Sequence, residues 1–165
     1  MTPLPRPVLH MVCGKIGAGK STLTRRLAEA PATVLISEDA WLAALYPGEI
    51  VALPDYVRAS TRRKQAMADH VVALLEAGVS VVLDFPANTV SSRALQMASG
   101  TSRKWSRCAT PAFSKMPRAQ ARLRARNASG EHPFETTDAQ FDLITRHFVA
   151  PEEAEGFHVV RAPQA

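Results

Sequence analysis

Residues Gly14–Ser21 read GKIGAGKS and satisfy every fixed position of the pattern GxxxxGK[ST]. A glycine-rich turn of this kind lets the backbone bend until several N–H groups point inward at phosphate oxygens, and it needs a strand before it and a helix after it. The flanking residues supply both. Pro7–Cys13, PVLHMVC, is a mostly apolar run suited to a buried parallel strand. From Lys20 the pattern turns helical, with Leu23 and Leu27 on one face, and Pro31 stops it. A chance match of the whole pattern in a chain this long is roughly a one percent event. Gly14, Lys15, Ile16, Gly17, Ala18, Gly19, Lys20, Ser21 and Thr22 are therefore the candidate nucleotide-binding residues. Lys20 is expected to reach the β and γ phosphates, and the Ser21 hydroxyl to complete a magnesium shell, so the expected cofactors are ATP and Mg²⁺.

The remaining chain alternates between strand and helix signals. Thr33–Ile36 reads as a strand, and Ser37 caps a short helix running to Tyr46, with acids in its first turn. Asp55–Ala77 carries Met67, Val71, Leu74 and Leu75 as the stripe of an amphipathic helix, and Gly78 closes it. Val79–Asp84, VSVVLD, is the strongest strand signal and ends in a carboxylate. Arg118–Asn127 and Thr137–Phe148 read as helices, and Phe157–Arg161 as a last strand. This order predicts an α/β fold, a parallel sheet flanked by helices in three layers. At 165 residues and 46% hydrophobic, the chain suits one domain spanning 1–165.

One window breaks the alternation. Met97–Pro117, MASGTSRKWSRCATPAFSKMP, has neither strand nor helix period where another buried strand is due. Three readings stand for it: a disordered insertion, a basic surface loop, or a stretch translated out of frame between correct flanks. The expected strand is thus missing or garbled. The basic charge is regional. No acid occurs between Asp84 and Glu131, and removing Arg103, Lys104, Arg107, Lys115 and Arg118 would bring the formal charge of +5 to zero. Such regional basicity is weak support for a nucleic-acid partner.

No apolar run approaches the length of a membrane helix, and three prolines interrupt the first residues, so a cytoplasmic protein without membrane attachment is expected. Cys13 and Cys108 are far apart and lack zinc or disulfide spacing.

Beyond the cradle, two acids and two arginines draw attention. Asp84 ends the third predicted strand, where open α/β sheets gather ligand groups, and it can hold a water of the magnesium shell; a plain turn-starting Asp before Phe85 and Pro86 is the alternative. Asp39 follows the second strand and is positioned to take the proton of an attacking hydroxyl; a dipole-favoured acid in a helix's first turn is the alternative. Arg122 and Arg126 share a helix face while Arg124 points elsewhere, an arrangement that suits either a triphosphate or a solvated basic surface. The region of about 118–137, with ASGEHPFET at its end, reads as a lid.

With GKIGAGKST, ISED, VVLDFPANT, RLRARN and GEHPFE in view, the chain resembles the bacterial predicted-kinase branch of P-loop ATP-binding proteins. Relatives of that branch include zeta toxins, chloramphenicol phosphotransferase and polynucleotide 5′-kinases. The resemblance runs from Val8 to about Asn88 and from about Arg122 to Val160. It implies a doubly wound kinase fold, ATP with Mg²⁺, Lys20 and Ser21 at the phosphates, Asp39 as the acid that activates the acceptor, and Arg122 and Arg126 in the lid. Leu42 stands where such phosphotransferases often carry an acceptor-steadying arginine, which argues against polynucleotide kinase activity. Because the flanks of 97–117 rejoin the family pattern in register, the resemblance favours the out-of-frame reading.

The leading expectation is ATP-dependent phosphoryl transfer to a small-molecule hydroxyl. The alternatives are an ATP-binding or hydrolysing regulatory module, or an inactive copy, and, on charge alone, a nucleic-acid kinase. The sequence leaves the acceptor and the oligomeric state open.

Overall fold

Hydrogen bonding between five short stretches of extended backbone organises the chain. The computed structural model describes residues 6–97, 106–111, 116–129 and 137–160. Its strands are Val8–Cys13 (β1), Thr33–Ser37 (β2), Ser80–Asp84 (β3), Ser106–Pro111 (β4) and His158–Val159 (β5). They form one sheet in the order β2-β3-β1-β4-β5, every neighbouring pair parallel. The helices are Lys20–Ala28 (α1), Glu38–Leu45 (α2), Leu53–Glu76 (α3), Val90–Met97 (α4), Met116–Ser129 (α5) and Asp138–Arg146 (α6). The α/β architecture predicted from the alternation is the one observed.

Alternation along the central strands explains the core. Leu9 and Met11 of β1 lie beside Val81 and Leu83 of β3 in register, and all four are buried. Successive side chains of a strand point to opposite faces, so these residues line one side, where Met67, Val71 and Leu75 of α3 cover them. Val12 faces the other side and packs with Ala18 and with Leu23 and Leu27 of α1. Each fully buried Leu, Val or Met contributes roughly 1.5–3 kcal/mol, so a charged residue at Val71 or Met67 would break the α3 face first. The helix stops as its sequence requires. Gly78 has φ +87°, and the N–H groups of Gly78 and Val79 donate to the carbonyls of Leu75 and Leu74, a closed C-terminal cap.

Two elements differ from the sequence expectation. The backbone of 97–117 was expected to lack its strand, yet Ser106–Pro111 pairs along its full length with β1, and Cys108 and Ala109 pair with β5. The correction has a physical cause: two neighbouring strands satisfy the N–H and C=O groups whatever side chains are attached. Pro111 falls at the strand's last residue, where a missing donor costs least. Neither an insertion nor a surface loop describes these six residues. Residues 98–105 and 112–115, which complete most of that window, lie outside the described residues. The second difference is α4, whose polar start hides its cap. The Thr89 hydroxyl accepts from the Ser92 N–H at 3.1 Å, and the Ser92 hydroxyl accepts from the Thr89 N–H at 3.1 Å.

Candidate functional site

The loops that leave the carboxyl ends of β1, β2 and β3 meet in one cleft of about 830 Å³. This is where open parallel sheets place ligands, because the helices that follow begin there with free N–H groups. Of the nine candidate nucleotide-binding residues, Ile16, Gly17, Gly19, Lys20, Ser21 and Thr22 line the cleft. Gly14 and Lys15 form its backbone support, and Ala18 turns into the core.

Glycine is required at two points of the turn. Gly17 has φ +73°, and a side chain there would place its Cβ 2.3 Å from the Ala119 carbonyl oxygen, so α5 sits directly on the loop. Gly19, at φ +88°, is the residue from which α1 springs. Ile16 anchors the loop from below, against Ala119, Leu123 and Phe141. The Gly14 N–H donates to Asn88 Oδ1 at 2.9 Å, tying β1's exit to the loop after β3.

Lys20 Nζ donates to the carbonyls of Gly14 at 2.8 Å and Lys15 at 2.9 Å, folded back over its own loop. Burial pushes its ammonium down to about 8, with Arg126 adding repulsion while Asp84 and Asp39 pull the other way. The residue is therefore poised to gain from a bound anion. Asp84, at the end of β3, has the hydroxyls of Ser21 and Thr24 near its carboxyl, where they favour the charged form, and the Thr24 hydroxyl itself donates to the Ser21 carbonyl at 3.1 Å. Its carboxyl is raised by burial and by the Asp39 charge, against the effect of those hydroxyls and of Lys20. The two residues expected at the metal thus line the same cleft. A hydroxyl and a carboxylate beside a phosphate cradle fit a magnesium ion held chiefly through nucleotide oxygens and water. Among the described residues no group of three His, Cys, Asp or Glu side chains could hold a metal alone.

Asp39 lies across the cleft in the first turn of α2, which the Ser37 hydroxyl caps by accepting from the Ala40 N–H at 3.4 Å. Its charge is felt at Lys20, Asp84 and Arg126. Arg122 and Arg126 both line the cleft from α5, and Arg122 Nη1 is 3.8 Å from where a Gly19 Cβ would be. Arg124 instead pairs with Asp138 at 2.7 Å on the outside. All four candidate catalytic residues, Lys20, Asp39, Arg122 and Arg126, are thus brought together. The GEHPFE part of the expected lid lies outside the described residues.

Sequence reasoning missed a buried network behind Asp39. The Glu38 carboxylate accepts from Tyr56 at 2.8 Å, from Ser60 at 2.6 Å and from the Arg63 guanidinium. Arg63 also lies 3.9 Å from the centroid of the Phe85 ring. A signal was present: Arg63, Met67 and Val71 are successive positions of one helical stripe, and a charge on a buried stripe needs a partner.

Part of the cleft's lining is apolar: Ile50, Val51 and Leu53, before and at the start of α3, and Leu143 and Ile144 of α6. No helix among the described residues is long and apolar enough to cross a membrane.

Several solved structures share this fold. A sugar kinase from Janibacter sp. HTCC2649 superposes with a TM-score of 0.63 at 17% identity, over 95% of this chain and 86% of its own. A gluconokinase from Sinorhizobium meliloti 1021 gives 0.60 at 16% identity, over 97% and 85%. Chaetomium thermophilum Kti12 in complex with ADP-AlF3 gives 0.65 at 13% identity, over 94% and 89%. At such identities the likeness establishes the fold. No curated protein matches the chain in sequence. The family model AAA_33, an AAA domain, matches residues 9–151, and the chain belongs to that family of P-loop proteins.

Proposed function

We propose that this chain, as one domain over 1–165, is an ATP- and Mg²⁺-dependent kinase that transfers the γ-phosphoryl group to a hydroxyl of a small molecule. The observation that carries the reading is the convergence of Lys20, Asp39, Ser21, Asp84, Arg122 and Arg126 on one cleft. A carboxylate that shares the cleft with the phosphate cradle supports transfer to an acceptor over nucleotide binding alone. The sugar kinase and gluconokinase folds support a small acceptor.

The assignments follow from position. Backbone amides of the loop before α1, together with Lys20, would hold the β and γ phosphates, and Ser21 and Asp84 would hold the magnesium shell, which would supply charge neutralisation on the transferred group. Asp39 accepts the proton of the acceptor hydroxyl and aims its oxygen at the γ phosphorus. Arg122 and Arg126 offset the charge that spreads over the phosphoryl oxygens. The apolar lining of Ile50, Val51, Leu53, Leu143 and Ile144 takes the non-reacting part of the acceptor and keeps water from competing for the phosphoryl group.

A screen of hydroxyl compounds with labelled ATP identifies the acceptor. The accompanying variant is Asp39→Asn, which should lower transfer by about 10²- to 10³-fold while ATP affinity stays within a factor of about two. Undiminished transfer by this variant would remove Asp39 as the base. A regulatory ATP-binding module, the alternative, would show no acceptor-dependent ATP consumption and little response to the substitution.

A further inference from the structure

We propose that Arg63 is a positioning residue that sets the separation of the two cleft acids, Asp39 and Asp84. Arg63 is 2% exposed; besides donating to Met67 Sδ on its own helix at 3.7 Å, its guanidinium has two partners in other elements, the carboxylate of Glu38, itself 1% exposed, and the face of Phe85, 5% exposed. Glu38 immediately precedes Asp39, and Phe85 immediately follows Asp84. One rigid, planar group on α3 therefore braces both the start of α2 and the exit of β3. Ser60 and Tyr56, one and two helical turns before Arg63 on α3, complete the hold on Glu38.

Core stability does not explain the arrangement. A buried ion pair loses hydration on both sides, and apolar side chains of similar volume often serve a core as well or better. What a guanidinium adds is direction: its N–H edge donates to a carboxylate close to its own plane, and its face lies over a ring at a fixed height. Those constraints act on the residues adjoining the proposed base and the proposed metal-side acid. A sub-ångström drift between them would misplace the acceptor oxygen relative to the phosphoryl group.

The test is the double variant Glu38→Gln/Arg63→Met in the full chain, which removes both charges so that neither is left buried alone. Expected results are an unchanged ATP dissociation constant, a melting temperature near that of the parent, and a kcat lowered by about 10- to 100-fold at unchanged KM for ATP. Mn²⁺ affinity of the ADP complex, read by water-proton relaxation, should weaken by about tenfold. Arg63→Lys, which keeps the charge but not the plane, should fall between the parent and the double variant. Should the double variant not fold, Phe85→Leu removes the ring face while keeping an apolar side chain, and the same loss of Mn²⁺ affinity is expected. Parental kcat together with parental Mn²⁺ affinity overturns the proposal. The kinetic arm rests on the kinase reading and the Mn²⁺ arm does not, so an inactive parent refutes that reading while the metal measurement still decides this one.

Discussion

The two sides of the central strand β1 are built on different terms. On one side the buried apolar strand β3 pairs with the half-buried edge strand β2, and the two then deliver Glu38, Asp39 and Asp84 to the cleft. On the other side β4 carries the sequence SRCATP and β5 pairs through only two residues. The first flank is specified at every level, by hydrophobic period, by caps and by the acids that end its strands. On the second, backbone pairing joins β4 to β1 and β5, while the core residue Phe157 and the buried Arg93 hold the segment that leads into β5. That side chain is fully buried and donates to Glu155 at 2.7 and 2.8 Å, to the Ala87 carbonyl at 3.0 Å and to the Val149 carbonyl at 2.8 Å. It stitches α4 to the segment that leads into β5. The difference teaches that chemistry gathers on the flank where local pattern and tertiary partners agree.

The largest test of this contrast falls on the cradle that both flanks share. Lys20→Ala should lower phosphoryl transfer by about 10³-fold, measured as kcat/KM for ATP, because an enclosed cation facing the transferred group is lost. Its pH dependence follows from the same burial. The free lysine loses its proton above about 8, so nucleotide binding at higher pH must take a proton up. Affinity is then expected to fall by about tenfold per pH unit above that point, and calorimetry in buffers of different ionisation enthalpy reads the uptake. A flat profile in the parent would mean that Lys20 stays charged.

Arg126→Ala probes what the second flank contributes to the first, since α5 begins beyond β4. A loss of about 10²-fold in kcat with little change in ATP affinity is expected. A loss confined to affinity would move Arg126 from the transition state to ground-state binding.

A smaller effect is expected where β5 is tied down. Glu155→Gln should cost about 1–3 kcal/mol of unfolding free energy by denaturant titration, because the buried Arg93 loses its charged partner. The hydrogen bond from Arg93 holds the Glu155 carboxyl below the usual range. Its contribution is therefore complete above the unfolded carboxylate value and fades as pH falls through the lower folded one, and the variant should lack that fraction of the acid sensitivity. Equal acid profiles would show that the backbone carbonyls alone satisfy Arg93.

The contrast can be sharpened without any protein. Translating the DNA that encodes 97–117 in its other two frames is expected to yield an apolar strand, if the polar run arose from a shifted reading frame. Neither frame doing so would leave β4 as a natively polar strand.

Much of the site was legible because its signals are local. The spacing of Gly14, Gly19, Lys20 and Ser21, the acid that ends VSVVLD, and Ser37 before Glu38 and Asp39 each state a backbone geometry within a few residues. Asn88 behind Gly14 was not legible, nor were the partners of Glu38, because those contacts join residues 74 and 18 to 25 positions apart. The fourth strand was hidden for a related reason. Its position depends on β1 and β5, and its own residues carry no period that announces it.

The amino-acid order alone determined the phosphate cradle, the helix and strand alternation and the end of β3 in a carboxylate, since each follows from steric and hydrophobic preferences that act over a turn or two. Tertiary structure decided the rest. It set which strand stands beside which, that SRCATP pairs as a strand at all, and that Arg63 faces both Glu38 and Phe85. Those outcomes depend on backbone groups and charges finding partners far along the chain once water has been excluded.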